Sequence, residues 1–412
     1  MYRSVDRCRV CRSKELTNVL SLGEQSLTGV FTSTAFEKIT SGPLDLVMCT
    51  AQGGCGLVQL LQSYDLGEMY GDNYGYRSSL NASMVAHLQQ KVQKILDMGI
   101  LEPGDAIIDI GSNDATTLKT YPRDVYDLIG IDPTGEKFAQ HYPSYIRLIS
   151  DFFSAESSFR ALGNRRAKVI TSFSMFYDLE DPVSFAMEVA AALDEQGIWV
   201  LEQSYLPSML LSNSFDTICH EHLEFYGLRQ IKWITSKAGL RILDVEFNDV
   251  NGGSFSIVVG KIGSAYTPNK EKIESIIEDE IMLGLDTPRA FDEFKIRIAK
   301  AREELLFFLH EAASSGKVVC GLGASTKGNV LLQYFNIGPS LIKEIGEVNS
   351  DKFGRFTPGT GIPLVSEDDV LASEPDYLVI FPWHFRAFFE NSEKMRGRRV
   401  VFPLPKFELV KL

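Results

Sequence analysis

Two groups of side chains in this sequence have the types and spacing for chemistry. The first is thiol-rich: Cys8-Arg9-Val10-Cys11, then Cys49-Thr50-Ala51-Gln52-Gly53-Gly54-Cys55. Two short cysteine loops supply four soft ligands, the set a tetrahedral zinc takes, and Gly53, Gly54 and Gly56 suit tight turns around thiolates. The second pair is wider than the usual two-residue gap, so buried unligated cysteines are the competing reading. With four thiolates and no open position, such a metal is structural. The second group is His220-Glu221-His222. A neutral imidazole has a suitable pKa to remove a proton from carbon beside a ketone, and the enolate that develops needs donors or a cation at its oxygen. His-x-His also suits a metal, and a lone histidine is more often structural.

Two glycine turns stand at strand ends. Asp109-Ile110-Gly111-Ser112-Asn113-Asp114 follows an apolar run, and Asp132 closes the next run. A glycine lets backbone approach a ligand, and two carboxylates at one end of a sheet suit the hydroxyls of a nucleoside. Without Gly-x-Gly-x-x-Gly there is little support for a dinucleotide pyrophosphate, so an adenosine ligand without one, S-adenosylmethionine, is expected. Gly321-Leu322-Gly323-Ala324-Ser325-Thr326-Lys327-Gly328 opens a helix after another strand. Helix N-termini bind phosphate and Lys327 adds charge, although helix-capping turns with one lysine are common.

The elements that must carry these residues read as α/β. Leu80, Met84, His87, Leu88, Val92 and Ile95 recur at helical spacing. Strands are expected at 106–110, 127–131, 167–172 and 197–202, with a helix over 182–193, a rhythm that argues for a doubly wound parallel sheet. A strand follows the Gly252-Gly253 turn. Residues 270–313 are mostly helical with a break at Gly284 to Pro288, and a second α/β unit begins with strand 317–322, helix 329–335 and strands 341–348 and 376–381. The chain of 412 residues has 41 Lys+Arg against 54 Asp+Glu, a net charge of −13, which disfavours a broad nucleic-acid footprint. No apolar stretch reaches the ~18 residues of a membrane span, and the first residues lack a signal-peptide core. A cytoplasmic monomer is expected.

Taken together, these motifs resemble the nucleotide-sugar C-methyltransferases that act at C-3 of 4-keto-deoxy sugars. The nucleoside motif at Asp109–Asp114 is similar to that of class I methyltransferases. The N-terminal cysteines followed by Gly56-Leu57-Val58-Gln59-Leu60, His220-Glu221-His222, Gly252-Gly253-Ser254, Gly323–Gly328, Pro358-Gly359-Thr360 and Pro382-Trp383 occur in the family's order. The resemblance implies a zinc-binding domain (1–68), a central Rossmann-like methyltransferase domain (69–262) and a C-terminal Rossmann-like domain for the nucleotide sugar (263–412). It implies methyl transfer from S-adenosylmethionine to C-3 of a dTDP-, GDP- or CDP-linked keto sugar through an enolate. His222 then matches the general base, with Glu221, His220 and Tyr76 around it. Asp109, Gly111, Ser112, Asn113, Asp132 and Asp151 are expected at the methyl donor. Tyr74, Asn251, Lys327, Glu347, Asn349 and Trp383 are expected at the sugar nucleotide, and Cys8, Cys11, Cys49 and Cys55 at zinc. The sequence departs from the family at Ala115, where Gly is usual, at Cys219, where Tyr is common, and at Asn251, where His is common. Two other classes fit parts of the pattern: a zinc-containing NAD(P)-dependent oxidoreductase of a nucleotide sugar, and a non-catalytic zinc-ribbon binding protein.

Overall fold

A computed structural model of the chain describes residues 1–70 and 77–412. Tyr74 and Tyr76 lie outside the described residues, as do the side chains of Leu66 and Tyr70.

The central sheet has seven strands in the order Leu240–Asn248, Ser254–Lys261, Leu193–Ser204, Ala167–Phe173, Ala106–Ile110, Asp127–Ile131 and Ile146–Ile149. The last five in that order run parallel, and Ser254–Lys261 pairs antiparallel with both of its neighbours. All five residues of Ala106–Ile110 are buried. That is why the strand reads as apolar on both faces, with Asp109 its one polar residue, rather than as an alternating one. The chain winds outward from Ala106–Ile110 through two strands and returns on its other side at Ala167–Phe173. A crevice therefore opens beyond the carboxyl ends of these two strands, at Gly111 and Ser174.

The C-terminal sheet repeats this logic. Its order is Leu364–Ser366, Ile345–Glu347, Val319–Leu322, Tyr377–Ile380, Arg399–Phe402 and Glu408–Lys411, parallel except for the last strand. Here the winding reverses between Val319–Leu322 and Tyr377–Ile380. The turn there is tight: a Cβ on Gly323, whose φ is +82°, would lie 2.6 Å from Pro382. Two helices join the sheets. Lys270–Met282 buries Ile273 and Ile276 in the central core, and Ala290–Ser314 buries Phe291, Phe294, Ile298, Leu305 and Leu309 in the C-terminal one. The expected break between them is present, with Gly284 at φ +75°.

The N-terminal sheet is built on a long hairpin, Leu16–Ser26 and Ser41–Cys49, extended by Val58–Leu60. Its outer strand comes from elsewhere in the chain. Glu224–Phe225 pairs with Gln59 and Val58, and the amide of Leu60 donates to the carbonyl of Leu223 at 2.8 Å. The segment carrying His220, Glu221 and His222 is thus fastened to the cysteine-bearing sheet.

Several elements differ from expectation. The helix expected from Asn329 begins at Thr326, because Ser325 caps it by accepting the amide of Gly328 at 3.0 Å. The strand expected over 341–348 is shorter, Ile345–Glu347. Among the described residues no helix is long and apolar enough to cross a membrane.

Candidate active site

The four cysteine Sγ atoms lie within 4.8 Å of one another. Cys8 and Cys55 approach to 3.4 Å, as do Cys11 and Cys49. Bonds of 2.3 Å in a tetrahedron separate sulfurs by about 3.8 Å, so the cluster fits zinc with small adjustment. Hydrogen bonds from Cys55 and Cys8 hold the Cys49 thiol well below its ordinary range. Gly54 is required by space, since a Cβ there would sit 2.9 Å from the Ala51 carbonyl and 3.3 Å from Cys49 Sγ.

The crevices of the two Rossmann-like sheets open onto one cavity of about 1180 Å³. Asp109, Gly111, Ser112, Asn113 and Asp132 line one side. Lys327, Glu347, Asn349 and His384 line the other, with Glu221, His222 and Asn251 between. On the first side, Gly111 has φ +71°, and a Cβ would meet Met175 at 3.2 Å. Asp109 is buried beneath it, accepts from Thr171 Oγ1 at 2.5 Å, and is pushed by burial up to about 7. Asp132 organises the turn: its Oδ2 accepts the amide of Asn113 at 2.7 Å, and its Oδ1 accepts the amide and hydroxyl of Thr134. A nucleoside fits this glycine floor flanked by carboxylates.

In the middle, the ring of His222 packs against Tyr177 at 4.3 Å between centroids. Its Nδ1 lies 2.8 Å from the Thr217 carbonyl, which only accepts, so Nδ1 carries the proton and Nε2 the lone pair. Burial, with a smaller effect from Lys327, lowers this histidine to about 4, so the neutral ring dominates near pH 7. Glu221 is pushed up by burial and leaves Oε2 without a partner, while its Oε1 would lie 2.7 Å from a Cβ on Gly29.

On the far side, Glu347 Oε1 accepts the amides of Val348 and Asn349, and Oε2 faces Lys352 Nζ at 3.2 Å. Burial drives His384 down to about 2, and its Nδ1 is unpaired.

Three expected residues are not brought to the cavity lining. His220 is fully buried behind it. Nε2 donates to the Gln25 carbonyl at 3.2 Å, Nδ1 faces the Thr28 hydroxyl at 3.3 Å, and the ring meets Tyr64 edge-on. Trp383 is buried and donates from Nε1 to Asp216 Oδ2 at 2.8 Å. Asp151 is exposed and accepts the amide of Phe152. The sequence reading also missed Tyr177, Arg77, Lys352 and Arg355, which line the cavity. Tyr177 had a usable signal, standing just beyond the strand at which the sheet reverses.

A glycine-floored crevice at a sheet reversal, flanked by Asp109 and Asp132, is the site of a Rossmann-like domain that takes a nucleoside, as class I methyltransferases do. The comparisons agree. Residues 8–70 match the family model described as a zinc binding domain, residues 81–245 a methyltransferase domain, and residues 249–405 the C-methyltransferase C-terminal domain. These matches follow one another along nearly the whole chain, and the chain belongs to the C-methyltransferase family they describe. Its cofactors are those of its domains, S-adenosylmethionine and zinc. A similar protein is the C-methyltransferase NovU of Streptomyces niveus, 27% identical across 98% of this chain and 97% of its own. Among solved structures, LepI in complex with SAM is 15% identical over 45% of this chain and 54% of its own, with a TM-score of 0.35. An S-adenosylmethionine-dependent methyltransferase from Clostridium acetobutylicum is 13% identical over 42% and 90%, with a TM-score of 0.31.

Proposed function

We propose that the protein methylates C-3 of a nucleotide-linked 4-keto-deoxy sugar, as one step in making a branched deoxysugar. The observation that carries this reading is the single cavity shared by the two sheet crevices, with the free Nε2 of His222 between them. Two nucleoside-bearing ligands that must meet at one carbon need that arrangement. A dinucleotide enzyme needs one crevice with a pyrophosphate turn, which Gly111-Ser112-Asn113 does not provide.

In this reading Asp109, Gly111, Ser112, Asn113 and Asp132 hold the methyl donor, which supplies an electrophilic methyl on sulfonium. The sugar nucleotide lies against residues 263–412, with its phosphates at the N-terminus of helix Thr326–Phe335 and Lys352 beside it. Glu347 and Asn349 take the nucleoside, and the hexose reaches back to His222. Nε2 removes the C-3 proton and the bond pair moves onto the C-4 oxygen as an enolate. C-3 then attacks the methyl carbon, and the carbon–sulfur pair leaves with sulfur. Glu221 orients the sugar hydroxyls, and Tyr76 donates at the keto oxygen. Residues 1–68 hold the zinc and residues 69–262 the methyl donor, in a cytoplasmic monomer. Incubating the enzyme with labelled S-adenosylmethionine and a panel of dTDP-, GDP- and CDP-linked 4-keto sugars, read by mass spectrometry, tests the proposal. Label in one sugar at C-3 supports it, and label on oxygen or in no sugar removes it.

A further inference from the structure

Lys327 occupies an unexpected place. From a glycine-rich turn at the head of a helix its ammonium is expected to face phosphate. Its side chain instead crosses toward the methyltransferase side, where Nζ donates to the Asn251 carbonyl at 2.8 Å. That carbonyl is presented by a strained turn, Asn251 at φ +57° followed by Gly252 at +91° and Gly253 at +116°. Lys327 lines the same cavity as His222, Glu221 and His384. An ammonium has three donors, and one is used by Asn251, so two remain for a ligand.

The groups facing this ammonium come from three elements. Asp216 and Cys219 stand on the segment before His222, and Asp216 is itself tied to Trp383 Nε1. His222 and His384 both feel the Lys327 charge as a push toward the neutral ring. Burial raises Asp216 and lowers Lys327, while the charge of Asp216 and Cys219 acts to hold Lys327 protonated. A partly desolvated ammonium beside a neutral imidazole is what proton removal next to a ketone requires, because the charge that leaves carbon must settle on oxygen.

Building on the proposed function, we infer that Lys327 is the cation that receives the enolate oxygen of the keto sugar, and not a phosphate ligand. As His222 Nε2 takes the C-3 proton, the electron pair passes through C-3–C-4 onto the C-4 oxygen, which accepts a hydrogen bond from Lys327 Nζ. The same charge adds a smaller push to the burial that favours the neutral ring of His222 before the step.

Lys327→Met and Lys327→Arg, each first shown to melt near wild type, test this by three measurements. With the keto sugar that wild type methylates, Lys327→Met is expected to lower kcat by roughly 100-fold or more with KM for the sugar nucleotide within threefold of wild type, and Lys327→Arg to recover part of it. The acid limb of the pH–rate profile is expected to move to higher pH in Lys327→Met. The affinity of Lys327→Met for a panel of nucleoside diphosphates, measured by calorimetry, is expected to match wild type. A tenfold or greater loss of that affinity makes Lys327 a phosphate ligand and overturns the inference, even if wild type proves inactive on every sugar tried. Wild-type turnover with an unchanged kcat in Lys327→Met overturns it too, while leaving the C-methylation reading intact. If wild type transfers no methyl to any keto sugar, the broader reading fails and takes this role with it.

Discussion

The hydrogen bond between His222 Nδ1 and the Thr217 carbonyl, 2.8 Å long, fixes the tautomer of the ring and leaves Nε2 as its basic atom. A backbone carbonyl cannot donate, so a neutral His222 has one arrangement of its proton. His222→Gln is expected to lower kcat by about 10²–10⁴-fold while leaving S-adenosylhomocysteine affinity near wild type, as read by calorimetry. Because the ring titrates near 4, the wild-type rate is expected to fall on the acid side only as pH approaches that value.

Gly111 is set at φ +71° with Met175 3.2 Å from the position of a Cβ. A left-handed conformation costs an L-residue roughly 1–2 kcal/mol. Gly111→Ala is expected to lower stability by about that amount in chemical denaturation and to weaken S-adenosylhomocysteine binding tenfold or more. Nucleoside diphosphate affinity, which the proposed function assigns to the other sheet, is expected to stay unchanged; equal losses at both ligands would argue against separate crevices.

The cysteine cluster reaches the reaction through strand pairing. Arg9, between Cys8 and Cys11, is buried and donates to the Leu60 carbonyl and Ser63 Oγ, and Leu60 in turn pairs with Leu223. About one zinc per chain is expected by elemental analysis. Cys11→Ser is expected to lose the metal and most of the turnover together, since the His222 segment loses its support. A metal-free protein with full activity would contradict this.

His220 makes a separate prediction about pH. Burial lowers it from 6.5 to about 4, so the folded state prefers the neutral ring. The unfolded chain therefore binds the extra proton first. The stabilisation is fully present above 6.5 and is lost as pH falls from there toward 4, by about 3 kcal/mol. Asp109, raised from 3.8 to about 7, acts in the opposite sense, its contribution being lost as pH rises through that window. The comparison must therefore be between variants. His220→Gln is expected to be less stable than wild type at pH 7.5, with the gap closing toward pH 4 in urea titrations. A gap independent of pH would show that the ring does not titrate with folding.

Local signals in the sequence were enough for the parallel strands and the cysteine cluster. Ala106–Ile110 is apolar but for Asp109 because both its faces are covered, and two short cysteine loops between them supply the four thiols of one cluster. Less could be read where partners are distant. His220 and His222 are two residues apart and chemically alike, yet one is anchored by Gln25 and Thr28 and the other by Thr217. Nothing within that segment distinguishes them. Lys327 presents the same difficulty: its own turn suggests phosphate, and the Asn251 carbonyl that draws it away is 76 residues earlier in the chain. The strand Glu224–Phe225 is too short for periodicity to reveal and exists because Val58–Leu60 offers it an edge.

Hydrogen exchange at C-3 tests the central claim most directly. In deuterated water with the nucleotide keto sugar, S-adenosylhomocysteine and no methyl donor, wild type is expected to replace the C-3 hydrogen with deuterium, and His222→Gln to do so at least 100-fold more slowly, near the uncatalysed rate. Exchange at the wild-type rate in His222→Gln would contradict the account.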